Sequence, residues 1–150
     1  MPPFIGPLEQ EFLIDLGLAL LCGLIIGIER ELRHKPAGIS TQSLVIAAAM
    51  LFSFISRTGN SGNPTHLAAQ IVSGVGFLGA GIILKSERLG KITNLTTAAS
   101  VWYAAAIGMA LGFNYHFIAV IATLYAVVIN RIPRIVKHPN IKANDEDDDD

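Results

Sequence analysis

The 150-residue chain is short of charge: Asp, Glu, Lys and Arg make up 15% of it, against roughly 25% in an average soluble domain. The shortage is localised, because no such residue occurs from Thr58 to Leu84 or from Ile92 to Asn130. A soluble domain would need charged faces in those windows. Cysteine is nearly absent; Cys22 stands alone in an apolar run, which excludes an intramolecular disulfide and reads as a small packing residue. His34, His66, His116 and His138 lie in loops or at span ends without a His or Cys partner at ligand spacing, which argues against a zinc site. No nucleophile–base pair or nucleotide loop stands out, so a non-enzymatic protein is expected, with no nucleic-acid partner. The N-terminal MPPFIGPLEQEF carries Glu9 and Glu11 and lacks the basic region of a secretory signal, so the first apolar segment is expected to be retained.

What the chain does have is long apolar runs. About 20 apolar residues span the ~30 Å hydrocarbon core of a bilayer, and several such runs occur. The first covers Phe12 to Ile28. The second lies within Pro36 to Ser56 and ends before the turn-forming RTGNSGNP of residues 57–64. The third follows Pro64 and runs to Leu84. The window from Ile92 to Asn130 would be ~58 Å long as one helix, nearly twice the bilayer core, so it must fold back. Gly112 to His116 is the natural corner, giving spans near Thr97–Leu111 and Phe117–Ile129. The fold class is therefore an all-α membrane protein with five transmembrane helices over residues 12–132, preceded by an outer segment, 1–11, and followed by a cytoplasmic basic stub and disordered acidic tail, 133–150.

Charge orients these spans. Arg30, Arg33 and Lys35 follow span one, Lys85, Arg88 and Lys91 follow span three, and Arg131, Arg134, Lys137 and Lys142 follow span five; only Arg57 falls on the other side. The positive-inside rule then places the N-terminus outside and the C-terminus in the cytoplasm. The formal net charge of −1 hides this bias, because six of the twelve acids form the terminal run 145–150. That run reads as a solvated tail, with weak binding of divalent cations as the alternative.

Gly74-x-Gly76-x-x-Gly79 spells a dinucleotide fingerprint, but no acid follows at ribose-binding distance and the run is not a strand-to-helix turn. Small residues at spacings of three and four instead let membrane helices approach closely. Ala69, Ser73, Gly76 and Ala80 form such a stripe in span three, and Ala19, Gly23 and Gly27 another in span one. The two faces are expected to pack together, or the glycines of span three to bend that helix around an ion. Asp15, an acid one turn inside span one, is by default a functional-site candidate; the alternative is a shallow, hydrated acid or a partner of Arg57. Gln70 and Ser73 either hydrogen-bond between helices or join Asp15 in an outward polar cavity, so these three are the candidate metal ligands. At the cytoplasmic side, Glu29 to Lys35 read as a topology signal, Ser40, Thr41 and Gln42 as caps for span two, and Thr96 or Thr97 as the N-cap of span four.

The segments IGIERELRHKPAGISTQSLVIAAAMLF (27–52), HLAAQIVSGVGFLGAGIILKSE (66–87) and NLTTAASVWYAAAIGMALG (94–112) resemble the membrane domain of the MgtC/SapB family. The resemblance implies a five-helix plasma-membrane protein linked to magnesium limitation, with survival in macrophages and inhibition of ATP synthase in some members. It suggests magnesium as the one candidate cofactor and ATP synthase as a candidate partner, beside a homo-oligomer in the lipid bilayer. Matching motif residues are Glu29, Arg30, Ala37, Gly38, Thr41, Gln70, Ser73, Gly74, Gly76, Gly79, Gly81, Thr96, Thr97 and Trp102. Ser40, His66 and Asn94 depart from the family's usual basic, basic and Gly residues, and the chain is expected to lack the soluble C-terminal domain of longer members. The leading expectation is a regulator of another membrane complex; the rival is an ion or proton-coupled carrier using Asp15 and span three.

Overall fold

A computed structural model of the chain describes residues 5–59, 64–84 and 93–132. The basic residues Lys85, Arg88, Lys91, Arg134, Lys137 and Lys142, together with His138 and the acidic tail, lie outside the described residues. Five helices follow in order: α1 Pro7–Leu32, α2 Ile39–Thr58, α3 Pro64–Leu84, α4 Leu95–Gly112 and α5 His116–Arg131. The first four are long and apolar enough to cross a membrane. α5 has 16 residues, about 24 Å of helix, shorter than the ~30 Å hydrocarbon core.

α1 begins five residues before the expected span because Pro7 takes a first-turn position and Glu9 sits in the first turn, where the helix dipole favours an acid. It ends in a turn in which His34 and Ala37 adopt positive φ, 51° and 60°, while Lys35 N–H donates to the Arg30 carbonyl. Asn114 makes the α4–α5 corner with φ 65°, a left-handed conformation that asparagine tolerates. The corner falls where the charge-free window required one.

Neighbouring contacts give the helix directions. Gly23 faces Ser43 and Gly27 faces Ile39, so α1 and α2 are antiparallel. Gly108 faces Ile46 and Ala49 while Gly112 faces Met50 and Ser53, so α2 and α4 are parallel. α4 packs on all four other helices, whereas α3 touches only α2 and α4 among the described residues. The core therefore lies between α1, α2, α4 and α5, around Ala19, Cys22, Ile26, Ile46, Met50, Ala104, Ile107 and Leu111. Cys22 is 5% exposed, in keeping with a packing role.

This arrangement corrects the expected pairing of small-residue faces. The α1 stripe, Ala19, Gly23 and Gly27, is buried, but it meets α2 and not α3. Ala69, Ser73, Gly76 and Ala80 of α3 are exposed, and nothing lies within 4 Å of a Cβ added at Gly74, Gly76 or Gly81. Only Gly79 faces a neighbour closely, Ala98 of α4 at 3.7 Å. α3 is a continuous helix over its 21 residues, so it does not break around an ion in this structure. Equally close glycine packing is found on α4, where a Cβ at Gly108 or Gly112 would come under 3.0 Å from α2 backbone atoms, as it would at Gly23 and Gly27 of α1. The literal G-x-x-x-G of residues 108–112 announces it.

Candidate functional site: two polar ends of the bundle

Polar side chains gather at the two ends of the four-helix core. At one end lies Arg30, 3% exposed although it is the last-turn cation of α1. Its Nη2 donates to Thr97 Oγ1 on α4 at 2.6 Å and to the Pro36 carbonyl at 3.0 Å. Gln42 of α2, fully buried, donates through Nε2 to Ser100 Oγ on α4 at 3.1 Å and to the Ala37 carbonyl at 3.3 Å. Arg33 carries the network to α5 by donating to the Asn130 carbonyl, and lies 3.4 Å from Glu29, which is 6% exposed. Two cations and one amide thus bind α1, the 36–38 turn, α2, α4 and α5 together.

This geometry changes several sequence readings. Glu29, Arg30, Ala37, Gly38 and Thr97 do come together, so the charges after α1 are more than a topology signal. Thr97 accepts from Arg30 instead of capping α4; the N-cap position is Asn94, with φ 62° and no side-chain cap bond. Nor do Ser40, Thr41 or Gln42 cap α2. Glu31 Oε1 accepts from Ile39 N–H at 3.1 Å, so α1 supplies that acceptor, which fits an acid at a helix N-terminus. Thr41, Thr96 and Trp102 are exposed, and Trp102 instead lines a shallow apolar groove of about 180 Å³ with Val72, Val75 and Met109 between α3 and α4.

The other end holds Asp15, which is 0% exposed, with Oδ1 2.6 Å from His116 Nε2 at the start of α5. Arg57 is not its partner: that guanidinium pairs with Glu11 at 2.7 Å, donates to the Gly112 carbonyl at 2.9 Å and lies over the Phe54 ring. Asn114 Nδ2 also donates to Glu11 Oε1, at 2.6 Å. Sequence reasoning singled out Asp15 but missed His116, because the two are 101 residues apart and nothing local couples them.

Asp15, Gln70 and Ser73 do not form one cavity. Gln70 and Ser73 are exposed on α3, and α1 and α3 do not touch among the described residues. Among the described residues no three His, Cys, Asp or Glu side chains are grouped to hold a metal ion. Hard divalent cations take six or more oxygens, and Asp15 has one carboxylate and a histidine beside it. Between Asp15 and Glu29, about 21 Å along α1, every buried residue of that helix is apolar. Along α1 the two polar ends are thus separated by apolar residues, with Ser43 of α2 facing Gly23 between them.

A family model described as the MgtC family matches residues 16–138. Protein MgtC of Brucella suis biovar 1 is 43% identical over 117 residues, covering 77% of this chain and 48% of that protein. Protein MgtC of Salmonella typhimurium (strain LT2) is 38% identical over 123 residues, covering 82% and 52%, and Protein SapB of Bacillus subtilis is 34% identical over 140 residues, covering 87% and 60%. The chain spans about half the length of the curated relatives it matches. No solved structure matches it.

Proposed function

The chain belongs to the MgtC family, and from that membership we propose that it is a five-span plasma-membrane protein, N-terminus outside, that acts without covalent chemistry by binding other membrane proteins during magnesium limitation. The observation that carries this reading is the α3 face. Gln70, Ser73, Gly74, Gly76 and Gly81 are exposed there, on a helix that touches only α2 and α4 among the described residues. An amide and bare backbone facing lipid are poorly matched to hydrocarbon, whereas small and polar residues are what membrane helices use to associate. The face suits a second copy of the chain or a helix of another complex; ATP synthase is the candidate that the family resemblance suggests.

The carrier reading has one observation in its favour, the buried Asp15 carboxylate. Against it stands the apolar stretch of α1, Ala19 to Gly27, between the two polar ends. Photo-crosslinking from position 73 or 76 in intact cells tests the proposal. The expected result is a discrete crosslinked species that is lost on Gly76→Leu while the folded monomer persists. Magnesium flux into proteoliposomes containing the purified chain alone, abolished by Asp15→Asn, with no crosslink from α3, would replace this reading with the carrier.

A further inference from the structure

α5 is fastened to the bundle by few residues. Of its side chains only Ala119 and Thr123 are buried, and the Thr123 hydroxyl donates back to its own helix at Ala119 O. Polar bonds hold it to α1 at both ends: Arg33 to the Asn130 carbonyl, and Asp15 to His116. The second of these bonds is unbalanced. Asp15 is fully buried, its Oδ2 has no partner among the described residues, and a buried carboxylate is costly without a counter-charge.

The groups around the pair leave a single source for that charge. On α1, Glu11 is a second acid; on α2, Arg57 is committed to Glu11 and to the Gly112 carbonyl; α4 contributes that carbonyl; and Tyr115 at the corner is exposed. The first turn of α5 offers only partial positive charge. His116, by contrast, has its side chain 41% exposed while its Nε2 touches Asp15. One edge of its ring faces the buried acid and the rest is exposed at the α4–α5 corner.

We propose that Asp15 and His116 form a one-proton binding site, loaded from the aqueous side, that clasps α5 onto α1. With Nε2–H donating to Asp15, the incoming proton occupies Nδ1, and the pair becomes a charge-assisted bond with no net buried charge. Release of that proton leaves the carboxylate with only a neutral donor, and water enters by displacing the first turn of α5. Histidine is the side chain that ordinarily makes this exchange between about pH 5 and 8. This site is independent of what the α3 face binds.

The experiment is hydrogen exchange on the full chain in nanodiscs at about pH 5.5 and about pH 8, corrected for intrinsic exchange rates, with α4 amides as the internal reference. In the wild type, protection of the first two turns of α5 falls about tenfold at the higher pH, the factor that corresponds to losing one charge-assisted bond. Asp15→Asn removes the buried charge and keeps α5 protected at both pH values. His116→Gln retains a neutral donor and resembles the alkaline wild type at both. Equal wild-type protection at the two pH values overturns the proposal. So does a pH response that survives either substitution, because the proton would then reside elsewhere.

Discussion

α3 and α4 are both rich in glycine and alanine, yet they use those residues in opposite ways. On α4, Gly108 and Gly112 lie against the α2 backbone so closely that no side chain fits. On α3, Gly74, Gly76 and Gly81 have nothing within 4 Å of the place where a side chain would begin. Glycine content therefore measures how closely a helix can be approached, and says nothing about what approaches it. Position decides that: among the described residues α4 packs on four other helices and α3 on two. In the bilayer this matters more than in water, because hydrophobicity does not by itself draw helices together.

Substitutions can break this contrast. Gly112→Leu has the largest expected effect, since the new side chain would collide with Met50 and Phe54 main-chain atoms as well as Ser53; a loss of about 3 kcal/mol is expected, read as a collapse of the thermal unfolding midpoint in detergent. Arg30→Gln follows. It removes a buried cation that holds α1, the 36–38 turn and α4, and should cost about 2 kcal/mol by the same measurement, with proteolysis appearing first at the turn. Gly74→Ala is the smallest. With open space around the site, it should leave stability unchanged or raise it by about 0.5 kcal/mol through helix propensity. A loss above about 1 kcal/mol at Gly74, or none at Gly112, would erase the distinction between the two helices.

The helices themselves were legible because a bilayer imposes length and excludes charge, and both conditions show in a linear string. Five membrane-spanning helices were expected; five helices are present among the described residues, four of them long and apolar enough to span, with the α4–α5 corner where the 39-residue charge-free window had to turn. Pairing was less legible. Spacing of small residues marks Gly23, Gly27, Gly76 and Gly108 alike, and nothing in it says which helix each will meet. Long-range polar bonds were the least legible: Arg30 reads as a positive-inside charge, and its engagement with Thr97 depends on how α1 and α4 cross. Thr97 reads as a cap for the same reason, since a hydroxyl at a helix start usually serves its own backbone. Arg57, the one basic residue expected on the opposite side, was the hint that an acid there would need it, and it took Glu11 in place of Asp15.

The bond from Arg30 to Thr97 also has a consequence in time. The two residues are 67 positions apart, so during synthesis Arg30 is made on the order of 3–13 s before its partner exists, at typical elongation rates. Over that interval α1 is made while the Arg30 guanidinium has only local partners, such as the Pro36 carbonyl six residues on. The tie between α1 and α4 therefore forms late, and Arg30 becomes buried only once α4 has been made.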